Sequence, residues 1–137
     1  MRPGRARAVL LPVVVAAALT GGCSVPEDRV QAVTDAAEKF VRVTNADDMA
    51  TACALLAPTV REELADDPGP TCADGLAQAD LPFAGEVRAT AVYGRQAQVT
   101  LDGDTFFLRS SPDGWLVTAA GCTPRTDRPY DCDVKGD

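Results

Sequence analysis

GDTFFLRSSPDGWLV, Gly103 to Val117, decides the fold. It holds two runs rich in aromatic and aliphatic residues, TFFLRSS and the start of WLVTAAG, around Pro112-Asp113-Gly114. Proline fixes φ and glycine supplies a positive φ, so the three residues mark a tight reversal between two strands. The pattern continues upstream: DGD separates TFFLRSS from QAQVTL, and GR separates QAQVTL from GEVRATAVY. From Gly85 onward the apolar period is two, which predicts a four-stranded antiparallel meander. Candidate inward residues are Val87, Ala89, Ala91, Tyr93, Val99, Leu101, Phe107, Trp115 and Val117, and alternation alone leaves open which parity faces the core.

Upstream of Gly85 the period is helical. Val30, Val33, Ala37, Phe40, Val41 and Thr44 recur at three- and four-residue spacing and predict a helix over about 27 to 44, opened by SVPED. NADDMATACALLAP reads as a second helix, with Asp47 as its candidate cap and Pro58 as its stop. TVREEL has the Thr59 and Glu62 spacing of a capping box and predicts a short third turn. DDPGPT is a loop, and CADGLAQA forms one or two further turns ending near Pro82. Helices followed by strands predict an α+β fold with the helices packed on one sheet face.

This order, closing on GDTFFLRSSPDGWLV and DGWLVTAAGC, resembles the NTF2-like (cystatin-like) superfamily, and more closely its small secreted actinobacterial lipoproteins. The resemblance covers about residues 28 to 123. The 11 arginines against 2 lysines suit a high-GC genome. It implies a curved sheet cupped around a helix, with a cone-shaped apolar pocket that members use for ligands, catalysis or partner binding. Tyr93, Trp115 and Phe107 are the pocket candidates. The enzymatic members, ketosteroid isomerase and the polyketide cyclases, need an acid or base and a hydrogen-bond donor inside the cone. This chain has no histidine, and Asp80 and Asp102 fall in predicted loop or turn positions. Tyr93 reads as a strand residue with its hydroxyl at the rim, and Trp115 as the anchor closing the last hairpin. Ser110 and Ser111 lack a histidine partner and give no nucleophile. The acids of DGD and of DRPYDCD read as solvated turns, not a calcium site.

The first 22 residues read as an export signal. MRPGRAR carries three arginines and no acid, and AVLLPVVVAAAL is an apolar core of 12 residues, shorter than the roughly 20 a bilayer span needs. It ends in LTGGC, which resembles the lipobox of bacterial lipoproteins. In that family the cysteine thiol receives diacylglycerol, commonly carrying palmitate, before cleavage. Cys23 would then be the lipidated first residue, against the plainer reading of a secretory signal followed by a chance cysteine. The chain divides into a signal peptide over 1–22, a lipidated tether over 23–28 and one domain over 29–137.

Cysteine arithmetic agrees with that division. Five cysteines are odd; setting Cys23 aside leaves Cys53, Cys72, Cys122 and Cys132, an even set suited to an oxidising compartment. Of three connectivities, Cys53 to Cys72 and Cys122 to Cys132 join sequence neighbours flanked by Pro or Gly segments. A four-cysteine zinc site would want a C-x-x-C pair, which is absent. The tail CTPRTDRPYDCDVKGD is expected to lack regular structure yet to be clamped by its bridge, with Tyr130 covering apolar surface at the sheet edge.

Removing the signal's three arginines leaves 10 basic against 20 acidic residues, a net of −10. Such a surface repels phosphate backbones and anionic headgroups, so no nucleic-acid partner is expected, and attachment should come from the lipid. The reading is a non-catalytic binding module without cofactor or metal, tethered by Cys23 to the outer face of the cytoplasmic membrane. Its partner would be an envelope protein or a small apolar ligand, and the alternative is a pocket enzyme of isomerase or cyclase type.

Overall fold

The computed structural model describes residues 4, 22, 24–66, 69–127 and 129–136. Cys23 and nearly all of the signal segment lie outside the described residues. The helical half comprises α1 (Glu27–Asn45), α2 (Met49–Ala54), α3 (Pro58–Asp66) and α4 (Cys72–Gln78). The sheet follows as β1 (Val87–Tyr93), β2 (Gln96–Leu101), β3 (Thr105–Ser111), β4 (Gly114–Thr123) and β5 (Asp131–Lys135). It is an open antiparallel meander in sequence order. No described helix is long and apolar enough to cross a membrane.

α1 forms where its periodicity placed it. Glu27 and Asp28 oppose the positive end of its dipole and Arg42 the negative end. Its buried stripe of Val33, Ala37 and Phe40 lies on the sheet, where the Phe40 ring meets Phe106 of β3 edge-on at 5.4 Å. The Thr34 hydroxyl hydrogen-bonds that of Thr90 on β1 at 2.8 Å. Asp48, not Asp47, caps α2, accepting from the Thr51 amide at 3.1 Å, while Asp47 takes a left-handed φ of 55° to turn the chain into the cap. Pro58 does not stop α2 but opens α3, the first helical position at which a missing N–H costs nothing. α3 is accordingly nine residues long, and Thr59 lies inside it. Thr71 caps α4 through the Asp74 amide.

The helical half joins the sheet through backbone. Between α2 and α3 Leu56 forms a single parallel bridge to Val117 of β4: Val117 N–H donates to Leu55 O at 2.9 Å, and Ala57 N–H to Val117 O at 2.8 Å. Beneath this junction α4 crosses α3 so closely that a side chain at Gly75 would stand 2.1 Å from the Leu64 carbonyl oxygen. The Cys53–Cys72 disulfide ties α2 to the start of α4. The Cys122–Cys132 bridge joins residues directly opposite each other on β4 and β5. Both pairings expected from the sequence are present.

Two further readings change in the sheet. The tail is not irregular: β5 pairs with β4 from Asp131 to Lys135 and buries Val134 fully. Residues 131–135 alternate polar and apolar around Cys132 and Val134, the period-two signal that the nearby prolines obscured. On β1 and β3, where alternation left the parity open, the candidates Ala89, Ala91, Tyr93 and Phe107 prove to be on the outward face. Arg88 is an extra residue between the Val87–Leu101 and Ala89–Thr100 pairs, and this bulge turns Thr90 and Val92 inward while Ala89, Ala91 and Tyr93 face out. On β3, Phe106 and Leu108 are buried and Phe107 lies on the opposite face.

Two consequences are measurable. Phe40→Ala removes the ring at the centre of the helix-to-sheet packing and should cost about 3–5 kcal/mol in chemical denaturation. Cys132→Ser frees a loop spanning 10 positions of sequence and should cost about 2–3 kcal/mol. Proteolysis beyond Gly121 should then quicken, with the helical circular dichroism unchanged below the melting transition.

Candidate functional site

The space between α1 and the sheet is filled by side chains. Phe40, Phe106, Leu56, Leu108, Val33 and Val99 are all essentially without solvent exposure and belong to one continuous core. The three pocket candidates do not meet there. Tyr93 ends β1 with 66% of its surface exposed. Phe107 packs on the outer sheet face against Tyr130 with ring centroids 5.0 Å apart, and Gln98 donates to the Tyr130 hydroxyl at 3.0 Å. Tyr130 thus covers apolar surface as expected, on a face of the sheet as well as at its edge. Trp115 remains half-buried against the core under the Arg29 guanidinium, 5.6 Å from its ring centre. Its role as the hairpin's anchor is what the packing supports.

Two concave features lie at the rims beside α1, and another of about 360 Å³ lies on the sheet around Phe107 and Thr118. A groove of about 530 Å³ runs between the C-terminal half of α1 and the start of β1, lined by Glu38, Arg42, Asn45, Glu86, Val87 and Leu101. A second, of about 280 Å³, lies between the end of α1 and the segment after α4, beside Met49, Leu76, Asp80 and Leu81. Phe83 stands 77% exposed on its margin. Neither joins an acid to Tyr93. Asp102 is in the β2–β3 turn as expected, where the Arg88 guanidinium and the Glu86 amide hold its carboxyl below the usual carboxylate range. Asp80 lies just beyond α4 with a left-handed φ of 49°. Ser111 accepts from the Asp113 amide at 3.3 Å and donates to the Gly114 carbonyl at 2.8 Å, so its hydroxyl organises the β3–β4 turn. Among the described residues no three His, Cys, Asp or Glu side chains gather as metal ligands would.

The chemically distinctive residue is one the sequence reading assigned to a solvated turn. Asp104 is buried, 8% exposed, at the opposite end of the sheet from Tyr93. Its carboxylate accepts from its neighbour Thr105 N–H at 2.6 Å, from Cys122 N–H at 2.8 Å and from Gly121 N–H at 2.9 Å. Gly121 has a φ of 65°, and its turn away from regular strand geometry presents these two amides to one side chain. Burial raises the Asp104 pKa above its ordinary 3.8, more than the three donors lower it, and the nearby Asp133 adds to the rise. No local pattern distinguishes Asp104 from Asp102, because two of its three donors come from β4, beyond the whole of β3.

Comparison with known proteins supplies no relative: no protein-family model, no curated protein and no solved structure matches the chain.

A raised carboxyl pKa means that the folded state holds its proton to a higher pH than the unfolded chain. The stability this group contributes is complete below 3.8 and declines as pH rises from there through the folded value. The stability difference between wild type and Asp104→Asn should therefore shrink across that window in denaturation series at increasing pH. Asp104→Ala, which also strands two amides of β4, should cost about 1–3 kcal/mol at the low end of that window and less as pH rises through it.

Proposed function

We propose that this chain is a lipid-anchored, extracytoplasmic, non-catalytic binding module of the bacterial cell envelope. The observation that carries the location is the cysteine pairing. Two bridges consume Cys53, Cys72, Cys122 and Cys132, so the domain suits an oxidising compartment, and Cys23 is left over at the end of LTGGC. A fifth cysteine at that position fits an acyl acceptor better than a structural thiol.

The mode of action follows from the interior. A cone that catalyses needs open space around a titratable group, and here the corresponding volume is occupied by Phe40, Phe106 and their neighbours. Among the described residues the one buried carboxylate, Asp104, is engaged with three backbone amides at the far end of the sheet. This favours recognition by the surface, of an envelope protein or a small apolar ligand at a rim groove. An NTF2-like architecture is part of the same proposal, supported by helices preceding the meander, α1 lying across the sheet, and bulges in β1 and β4 that bend it.

The proposal is tested by the fate of Cys23. Mass analysis of the native protein should find the N-terminal peptide beginning at Cys23 with a diacylglyceryl adduct, and fractionation should recover it with membranes. Cys23→Ala should shift the protein to the soluble exported fraction with its thermal midpoint unchanged. An unmodified peptide from a protein already soluble outside the cell would overturn the anchor.

A further inference from the structure

The end of the domain at which α1 begins collects features that the core does not explain. Arg29, in the first turn of α1, donates to the Gly94 carbonyl and covers the Trp115 ring. Gly94 and Arg95 form the β1–β2 turn, Pro112 and Asp113 the β3–β4 turn, and Ser110 N–H donates to Arg95 O at 2.9 Å, so both hairpin tips stand side by side next to the start of α1. Three large apolar side chains among the described residues are exposed, and two of them, Val25 and Tyr93, lie at this end.

Charge is balanced there. Arg29, Arg95 and Arg109 stand at this end with Glu27, Asp28 and Asp113, three of each sign, whereas the chain without its signal carries −10. This end therefore lacks the repulsion that the rest of the surface offers to anionic lipid. Chain length fixes its position: three residues separate Cys23 from Glu27, so at about 3.3–3.6 Å per residue the start of α1 lies within roughly 14 Å of the acylated residue. The polar layer of a bilayer leaflet is about 5–7 Å deep. Rings with one polar edge, such as Tyr and Trp, and arginines that reach phosphate are the side chains favoured at that depth.

We propose that Val25, Tyr93 and the Trp115 edge, with Arg29 and Arg95, form a membrane-contact surface that seats the domain at the headgroup level of a phospholipid bilayer. The inference rests on the Cys23 anchor. The lipid supplies the affinity, and this surface supplies the orientation. With α1 rising about 1.5 Å per residue over 19 residues, its far end and the two rim grooves beside it stand roughly 28 Å further out, free to meet a partner.

Trp115 is the only tryptophan and reports the contact directly. Protein purified with its anchor is placed in vesicles of phosphatidylethanolamine and phosphatidylglycerol, with or without brominated acyl chains. Trp115 fluorescence should be quenched by the brominated lipid. Tyr93→Asp should reduce the quenching severalfold, and Phe83→Asp, at the opposite end, should leave it as in wild type. An acylated protein whose Trp115 is not quenched, or is quenched equally in Tyr93→Asp, overturns the contact surface and leaves the anchor standing. Equal loss in both variants shows that orientation is not set at this end and overturns it too. An N-terminal peptide without acyl mass removes the anchor, and this surface with it.

Discussion

The two backbone hydrogen bonds that Val117 exchanges with Leu55 and Ala57 set the arrangement of everything around them. They occupy the flank of β4 beyond the reach of β5, so a segment of the helical half completes the sheet there. Because those amide and carbonyl groups are buried, leaving them unpaired would cost about 1–3 kcal/mol each. The bridge is a single residue, Leu56, with α2 ending at Ala54 and α3 beginning at Pro58, so both helices must leave it in fixed directions. Cys53 is thereby delivered to Cys72, and Pro58 is placed where a helix can start but not continue backward. Leu56, between the two bonds, is fully buried in the core that Phe40 and Phe106 share.

What the sequence made legible was whatever a local rule decides. The apolar stripe of α1, the turn residues at Gly94, Asp102 and Pro112, and the nearest-neighbour cysteine pairs all specify structure within a few residues or a single loop. What escaped depends on pairing register. The extra residue at Arg88 is invisible until Val87 is opposite Leu101 and Ala89 opposite Thr100, yet it reverses every side chain after it on β1. Tyr93 consequently moved from candidate pocket lining to exposed rim. β5 was hidden differently: residues 131–135 do alternate, but five residues after a proline-containing loop carry little weight until β4 is there to receive them. Asp104 was the least legible, since its burial depends on amides contributed by Gly121 and Cys122.

The two ends of the domain differ in kind. At the far end, Asp104 and the Cys122–Cys132 bridge lock β3, β4 and β5 together with buried, directional interactions. At the near end, Arg29 over Trp115 and the two hairpin tips are held by exposed polar contacts around an amphipathic rim.

An open sheet leaves two strands with one side unpaired, and each is guarded against growth. β1 carries its bulge at the bottom of that side, with the Arg88 guanidinium drawn across to Asp102, so a foreign strand could not continue in register past Ala89. β5 is only five residues long and three of them are charged, which makes it a poor template. Such protection gains value where molecules are crowded in a plane. Confinement raises the frequency of encounters between identical edges, and a flat, unguarded β1 would convert those encounters into fibre-like stacking rather than passing collisions.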